Sequence, residues 1–184
     1  MTAKRVAVVI PAYNEERTIV DVIRGLKQRG FTTLIVVDDG SSDRTGELAS
    51  REGAIRLRHI LNRGLGGALG TGISAALRLG AEVIVTFDAD GQHDPDDIVR
   101  LLEPIDVGEA EVVIGSRMLD PRGMPYQRRL ANWTANVVTY LLFGGWTTDS
   151  QSGLRAFSSR AATQLQIMTT GMEVSSETIA GPER

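Results

Sequence analysis

Short apolar runs alternate along much of this chain with longer segments in which apolar residues recur every three or four positions. The runs are rich in β-branched residues, and they predict strands at 5–10, 33–38, 54–60, 82–88 and 111–116. Most of them are continuously apolar, which is typical of strands that are covered on both faces. Strands that alternate with helices indicate an α/β fold with a mainly parallel central sheet.

The first two helices are predicted from periodicity and from their starting residues. Apolar residues at positions 19, 22, 23 and 26 predict the first helix. Glu15 and Glu16 lie near its positively polarised start, where carboxylates are favourable. The second helix is predicted to begin with Ser42 or Asp43 as its N-cap.

The third and fourth helices have different compositions. The third, at about 66–79, is rich in glycine and alanine, so we expect it to approach the sheet closely. The fourth is predicted to have Asp94 as its N-cap and Pro95 at its first helical position.

The pattern changes from Pro121 onward. Residues 128–144 predict a longer helix, 149–157 a loop that enters a strand, and 159–168 a further helix. The sequence shows no internal repeat and no linker. Residues 1–184 are therefore predicted to form a single domain.

Composition narrows the classes of function. The 184 residues carry a net charge of −3, which gives no general attraction for nucleic acid or an anionic membrane. The absence of cysteine excludes disulfides and thiolate metal sites. The apolar run at 137–146 is about half as long as a bilayer-spanning helix. We expect a cytoplasmic protein without a nucleic-acid partner, which contacts a membrane only peripherally, on its inner face.

Polar sequence follows three of the predicted strands, as "PAYNEE" (11–16), "DDGSSD" (38–43) and "DADGQHD" (88–94). In parallel α/β sheets, ligands bind beyond the carboxyl ends of the strands. The three loops are therefore predicted to share one edge of the sheet and to form the active site.

The third of these loops belongs to a stretch, 85–97, that holds five aspartates and no lysine or arginine. Asp88, Asp90 and Gln92 offer oxygen ligands at a strand end, which suits Mg²⁺ or Mn²⁺ rather than zinc. A cation there would relieve the repulsion between the carboxylates and would attract a phosphate-bearing substrate. The remaining aspartates fit the start of the next helix. His93 is either a further ligand or polar surface.

Two other motifs suit a nucleotide or a phosphate. Asp38 and Asp39 end a strand, where carboxylates can accept hydrogen bonds from a base or a ribose. Arg63 precedes a glycine-rich segment that lacks the Gly-Lys-Ser/Thr of a P-loop, and its guanidinium suits a base or a phosphate. Four further arginines lie in a chain that is otherwise slightly acidic, and they suit phosphate recognition. They are Arg117, Arg122, Arg128 and Arg129.

Taken in order, "PAYNEE", "VVDDGSSD", "NRGLGGALGTG", "DADGQHDP", "GSR" and "DSQSGLRAF" resemble the motifs of family 2 glycosyltransferases. The most similar branch is that of dolichol-phosphate mannose synthases and polyprenyl-phosphate glycosyltransferases. The resemblance implies a GT-A fold, which has a Rossmann-like, mainly parallel sheet flanked by helices. It also implies a nucleotide-sugar half at about 1–116 and an acceptor half at about 117–184. Family members usually continue further, so the acceptor half is expected to be short at its C-terminus.

The resemblance also implies roles for individual residues. Those matched to the nucleotide sugar are Pro11, Tyr13, Glu15, Asp38, Asp39, Arg63, Asp88 and Ala89. The metal-and-diphosphate motif matches Asp88, Asp90 and Gln92. Those matched to the acceptor phosphate are Arg117, Arg128 or Arg129, Gln151 and Ser152. The residues implied in catalysis are Asp90, Asp149 and Arg117.

The implied reaction is an inverting transfer from a GDP- or UDP-linked sugar to a polyprenyl or dolichyl phosphate, with Mg²⁺ or Mn²⁺ as cofactor. A phosphate acceptor is already an oxyanion, so arginines need only aim it. A hydroxyl acceptor would instead require a base, for which Asp149 is the candidate. The sequence is also compatible with a nucleotidyltransferase or with a non-catalytic nucleotide-binding module. The apolar segment 136–146 either meets the membrane or belongs to the core.

Overall fold

The computed structural model describes residues 4–115 and 153–164. In chain order its elements are β1 (Val6–Ala12), α1 (Ile19–Gln28), β2 (Thr33–Asp38), α2 (Thr45–Arg51), β3 (Ile55–Arg58), α3 (Gly64–Arg78), β4 (Val83–Thr86), α4 (Asp96–Asp106), β5 (Val112–Ile114), β6 (Arg155–Ser158) and α5 (Ser159–Gln164). The helix predicted at 128–144 lies outside the described residues. Within them, no helix is both long and apolar enough to cross a bilayer.

The six strands form one sheet in the order β3-β2-β1-β4-β6-β5. The pairs β3–β2, β2–β1 and β1–β4 are parallel, whereas β6 runs antiparallel to both β4 and β5. The predicted α/β class and the mainly parallel sheet are confirmed. Because β1, β2 and β4 run in the same direction, the three polar loops that follow them begin at the same edge, which was also predicted.

Strand β1 lies at the centre of the sheet and supplies apolar side chains to both faces. Successive side chains of a strand point to opposite faces. Val8 and Ile10 therefore join the core that includes α1 and α4, and Ala7 and Val9 join the core that includes α3. All four side chains are fully buried. This two-sided burial is the reason why the strand sequences are apolar without alternation.

The same strand continues beyond its predicted end at Ile10. Parallel pairing with β2 extends through Pro11 to Ala12, opposite Asp38. Pairing with β4 stops earlier, at Val9. Pro11 thus lies where only one neighbouring strand is present, which is a tolerable place for a residue without an N–H group.

Helix α3 packs closely on the sheet, as its glycine content predicted. A Cβ atom placed on Gly72 would overlap the side chain of Val9 and lie 3.2 Å from Cγ2 of Val37. Glycine is needed at position 67 for a different purpose, because the absence of a side chain there leaves room for Arg63 at the start of the helix. The glycines therefore serve both the sheet contact and the loop that enters the helix.

Two helices begin later than predicted. Helix α2 begins at Thr45 rather than directly after Ser42 or Asp43, but the Asp43 carboxylate accepts the Thr45 backbone N–H at 2.9 Å. Helix α4 begins at Asp96, and Asp94 accepts the Asp96 N–H at 2.9 Å. The two carboxylates therefore accept free backbone N–H groups of the first helical turns, and they do so from the position before the N-cap.

Candidate active site

The loops after β1 and β2 are joined by hydrogen bonds to backbone N–H groups. Asn14 N–H donates to Ser41 Oγ at 3.1 Å, and Glu15 N–H donates to Thr45 Oγ1 at 2.7 Å. In return, Ser42 N–H donates to Asn14 Oδ1 at 2.9 Å. Asn14 has a φ of 56°, a left-handed conformation that asparagine tolerates better than most residues. The two loops thus form one side of the ligand edge.

Asp38 and Asp39, adjacent in sequence, have different surroundings. The Asp38 side chain is buried, and both of its oxygens are engaged. Ser41 N–H donates to Oδ1 at 3.0 Å, and the Arg56 guanidinium donates to Oδ2 at 2.6 Å. Burial acts to raise the pKa of Asp38, but the hydrogen bonds from Ser41 and the ion pair with Arg56 outweigh it, so this pKa lies below its ordinary value. Asp38 is held ionised as a tie between loop and strand.

Replacing Arg56 by methionine is expected to destabilise the protein by roughly 3 kcal/mol at pH 7, because the buried Asp38 charge would lose its close partner and keep only the exposed Arg58 at 4.0 Å. Since the folded-state pKa of Asp38 is depressed, the pair stabilises the fold above the unfolded-state pKa of about 4 and loses that effect as pH falls through the folded-state value. The penalty of the substitution should therefore shrink towards pH 3. Urea unfolding at both pH values measures it.

Arg24→Met is the matched control, because Arg24 pairs with Glu52 at 2.7 Å on an exposed helix face. An exposed pair contributes little to stability, because solvent screens the two charges. Equal penalties for the two variants at pH 7 would contradict the structural role given to Arg56.

Asp39 is also buried, but only one of its oxygens is engaged. Oδ1 accepts the Arg63 backbone N–H at 2.9 Å and lies 2.5 Å from Nδ1 of His59. Within the described part of the chain, Asp39 Oδ2 has no hydrogen-bond partner. It is not fully buried either, since the one side-chain polar atom there that is both fully buried and without a partner is Arg56 Nε. Asp39 Oδ2 therefore reaches solvent at the ligand edge, where it can accept an N–H or O–H group.

The other residues matched to the nucleotide sugar lie around this point. Tyr13 is 51% exposed, and both Pro11 at the end of β1 and Glu15 on the loop after it are half-buried. Arg63 takes part in a way that its charge did not predict, since its backbone N–H holds Asp39 while its side chain is exposed. The structure brings these residues to the same edge as Asp39.

The acidic loop after β4 brings Asp88 and Asp90 to this edge as well. Asp88 directly follows the buried Phe87, and its side chain is 26% exposed. Ala89 is buried, and Asp90 turns the chain by accepting the Gln92 backbone N–H on Oδ1 at 2.9 Å. Both carboxylates thus stand where the sheet ends, partly open to solvent.

His93 is not polar surface, so that interpretation was wrong. Its side chain is 4% exposed, with Nε2 3.1 Å from Oδ2 of Asp88. The imidazole packs edge-on against the Phe87 ring, with 5.7 Å between the ring centroids. Buried in this way, His93 supports the Asp88 carboxylate from the protein side, as residues behind metal ligands commonly do.

Gly153 was not predicted as a site residue, yet its backbone lies against Asp88. A Cβ atom on Gly153 would overlap the carboxylate group of Asp88. The Gly153 carbonyl accepts the Thr86 hydroxyl at 2.8 Å, which fixes the approach. The signal in the sequence was the glycine of "DSQSGLRAF", whose partner only the fold reveals.

The residues at this corner suit a hard divalent cation. Asp88 and Asp90 supply carboxylates and Gln92 a neutral oxygen, which are the donor types that Mg²⁺ and Mn²⁺ prefer. Across residues 4–115 and 153–164, no three acidic or histidine side chains converge to enclose a metal alone. Such a cation would need water or substrate oxygens as further ligands, as is usual for ions that bridge to phosphates.

The residues predicted to hold the acceptor all fall outside the described part of the chain. They are Arg117, Arg128, Arg129, Gln151 and Ser152. Asp149, which was predicted to take part in catalysis, lies outside the described part as well. Their roles therefore stay predictions.

An α/β sheet with acidic groups at its carboxyl edge, on the loops after the two strands that flank β1, is the arrangement expected for an enzyme that handles nucleotide-linked substrates. The sequence pattern of "Glycosyl transferase family 2" matches residues 7–163. The chain belongs to this family, and it is a glycosyltransferase.

Proteins with similar sequences support this family assignment. An uncharacterized protein of Methanocaldococcus jannaschii is 50% identical over 94% of this chain and 73% of its own length. The UDP-N-acetylglucosamine–dolichyl-phosphate N-acetylglucosaminyltransferase of Methanococcus voltae is 40% identical over 88% of this chain and 72% of its own. The polyprenol monophosphomannose synthase of Mycolicibacterium smegmatis is 35% identical over 84% of this chain and 62% of its own.

The fold is similar to that of glucosyl-3-phosphoglycerate synthase from Mycobacterium tuberculosis, crystallised with Mn²⁺, UDP-glucose and phosphoglyceric acid. The TM-score is 0.75 at 26% sequence identity, over 94% of this chain. This chain spans 62% of that one. The predicted GT-A fold is confirmed.

Proposed function

We propose that this domain transfers a sugar from a nucleotide diphosphate sugar to the phosphate of a polyprenyl or dolichyl lipid, with inversion at the anomeric carbon. The observation that carries the proposal is the placement of two acidic sites on one sheet edge, Asp39 after β2 and the Asp88–Asp90 pair after β4. One suits a nucleoside and the other a cation with a diphosphate. Of the relatives described above, one is named for dolichyl phosphate and another for the synthesis of a polyprenol monophosphomannose, which supports the choice of acceptor.

The nucleoside would bind at Asp39. A carboxylate with one solvent-facing oxygen accepts hydrogen bonds from a base N–H or from ribose hydroxyls. Pro11, Tyr13 and Glu15 would lie beside the nucleoside, and Asp38 would hold the loop after β2 against β3 through Ser41 and Arg56. Asp39 would bind uridine or guanosine nucleotides by the same chemistry, so the proposed donor is GDP- or UDP-linked.

The diphosphate would bind beside Asp88, Asp90 and Gln92, which would hold Mg²⁺ or Mn²⁺. When bound, the cation supplies Lewis acidity and neutralises negative charge on the leaving diphosphate. The half-buried Asp88 is kept in place by His93 and by Gly153. These residues therefore decide whether the leaving group is correctly placed.

The acceptor phosphate would be held by Arg117, by Arg128 or Arg129, and by Gln151 and Ser152. One of its oxygens attacks the anomeric carbon, the bond from that carbon to the diphosphate oxygen breaks, and the nucleoside diphosphate leaves. A phosphomonoester is ionised at neutral pH, so no base has to remove a proton. Because the lipid lies in a bilayer, we propose that the domain meets the cytoplasmic face of that membrane peripherally.

The proposal is tested by incubating the full chain with Mn²⁺, a lipid phosphate and each of UDP-glucose, UDP-N-acetylglucosamine and GDP-mannose. The expected product is a lipid monophosphate sugar, identified by mass, whose anomeric configuration by NMR is opposite to that of the donor. Undecaprenol without the phosphate is the matched acceptor control and should give no product. Retained configuration would overturn inversion, and failure with every lipid phosphate would overturn the acceptor class.

A hydroxyl acceptor is the second candidate, and one observation favours it. The crystal structure of glucosyl-3-phosphoglycerate synthase holds phosphoglyceric acid together with UDP-glucose. A protein of the same fold thus binds, beside a nucleotide sugar, a small molecule that carries a hydroxyl group. In that case Asp149 is proposed as the base. Arg117→Ala would then leave turnover almost unchanged, whereas transfer to a lipid phosphate should fall sharply.

His93→Phe is expected to weaken Mn²⁺ binding about 10- to 100-fold, because an aromatic ring fills the same space but offers nothing to the Asp88 carboxylate. His93→Asn keeps a polar group and should lose less. Manganese titration followed by electron paramagnetic resonance measures both. Unchanged affinity in His93→Phe would show that Asp88 needs no support from this side.

A further inference from the structure

A second histidine, His59, connects the Asp39 carboxylate to helix α3. Its ring is buried directly after β3. Nδ1 lies 2.5 Å from Asp39 Oδ1, and Nε2 lies 2.9 Å from the hydroxyl oxygen of Thr71. The Thr71 hydroxyl is also 2.9 Å from the carbonyl of Gly67. A continuous chain of polar contacts thus runs from the ligand edge to the interior of the helix.

The available protons decide the direction of the first contact. An ionised carboxylate only accepts hydrogen bonds, so Nδ1 of His59 must carry a proton. If the ring is neutral, Nε2 accepts a hydrogen bond from the Thr71 hydroxyl group. If the ring is charged, Nε2 donates a hydrogen bond to the Thr71 oxygen, and the Thr71 hydroxyl group donates one to the carbonyl of Gly67. The bond from Nδ1–H to Asp39 is the same in both states.

The two donors on Asp39 act on the same oxygen. Arg63 N–H and His59 Nδ1–H both meet Oδ1, and they come from the start of α3 and the end of β3. Two fixed donors restrict rotation of the carboxylate. Oδ2 is thereby kept at the solvent side, where no group of the described chain competes for it.

We propose that His59, oriented by Thr71, is a positioning residue that presents Asp39 Oδ2 to the nucleotide. The inference rests on the proposed function, because it takes Asp39 as the group that binds the nucleoside. It adds a residue that touches neither substrate nor metal. The competing explanation is that His59 only fills space under the loop.

The experiment compares His59→Phe with His59→Asn. Phenylalanine fills the space of the ring without donating, whereas asparagine places an N–H donor near the position of Nδ1. Binding of UDP and GDP in the presence of Mn²⁺ is measured by calorimetry. His59→Phe should weaken binding of the preferred nucleotide about tenfold, the effect of losing one charge-assisted hydrogen bond, and His59→Asn should recover most of it.

Steady-state kinetics separate positioning from packing. In His59→Phe the KM for the donor should rise while the KM for the acceptor stays unchanged. Thr71→Val should weaken nucleotide binding less than His59→Phe, and Thr71→Ser, which keeps the hydroxyl, should bind like the wild type. If His59→Phe fails to fold, the two Thr71 variants carry the test: weaker nucleotide binding by Thr71→Val than by Thr71→Ser would support the inference, and equal binding would overturn it.

The possible failures are distinct. A wild-type protein that binds neither nucleotide would overturn the proposed function and this inference with it. A wild-type protein that binds, together with equal losses in the phenylalanine and asparagine variants, would overturn the inference alone. Equal increases in both KM values would do the same.

Discussion

Asp88→Ala is expected to lower the rate of sugar transfer by about a thousandfold, while the protein keeps its fold. Asp88 follows β4 at the ligand edge, and removing it takes away one of two carboxylates proposed to hold the cation and the diphosphate. Stabilisation of a leaving group by a metal is worth several kcal/mol, and a thousandfold corresponds to about 4 kcal/mol. The measurement is kcat/KM for the nucleotide sugar at saturating Mn²⁺, with circular dichroism to verify the fold.

Asp94→Ala provides the matched control from the same acidic stretch. Asp94 accepts the Asp96 backbone N–H at the start of α4 and is exposed. Its loss should reduce stability by about 1 kcal/mol, as removal of a helix-start acceptor does, without slowing transfer. If both variants lost activity equally, general acidity of the stretch rather than Asp88 would be responsible.

Gly153→Ala is expected to reduce transfer by about a hundredfold through a single added methyl group. The methyl carbon would overlap the Asp88 carboxylate, and the backbone cannot withdraw easily because Thr86 holds the Gly153 carbonyl at 2.8 Å. Displacing a reacting or positioning group by about 1 Å can cost a hundredfold in rate. The measurement is kcat/KM together with Mn²⁺ affinity, and both should fall.

The double variant Gly153→Ala/Asp88→Ala tests whether the methyl group acts through that carboxylate. If it does, the double variant should be no slower than Asp88→Ala alone, because the two changes share one target. Gly115→Ala is the control for adding a methyl group near the same strands, since its Cβ would meet the Leu154 side chain at 3.1 Å rather than a carboxylate. Additive losses would mean that Gly153 matters for another reason.

The hydrophobic pattern alone predicted the order of strands and helices in the described part of the chain. Val8 and Ile10 alternate with Ala7 and Val9 across one sheet, so a continuously apolar run requires cover on both sides. The resulting parallel strands place the loops at 38–43 and 88–94 at one edge. The location of the candidate site therefore followed from the sequence.

Boundaries were less predictable, because they depend on neighbours. β1 continues to Ala12 because β2 still pairs with it there. α2 begins only at Thr45, because Asp43 accepts the Thr45 backbone N–H from one position before the N-cap. The insertion of β6 between β4 and β5 joins segments far apart in the chain. Local propensity contains no information about such pairing.

The sequence by itself determined the class of fold, the acidic edge and the family motifs, because these are written in local periodicity and in short runs of residues. Only the tertiary structure decided which of two adjacent aspartates is tied to Arg56 and which keeps an oxygen for a ligand. It alone placed Gly153 against Asp88. Those distinctions depend on contacts between distant segments, and such contacts exist only once the chain has folded.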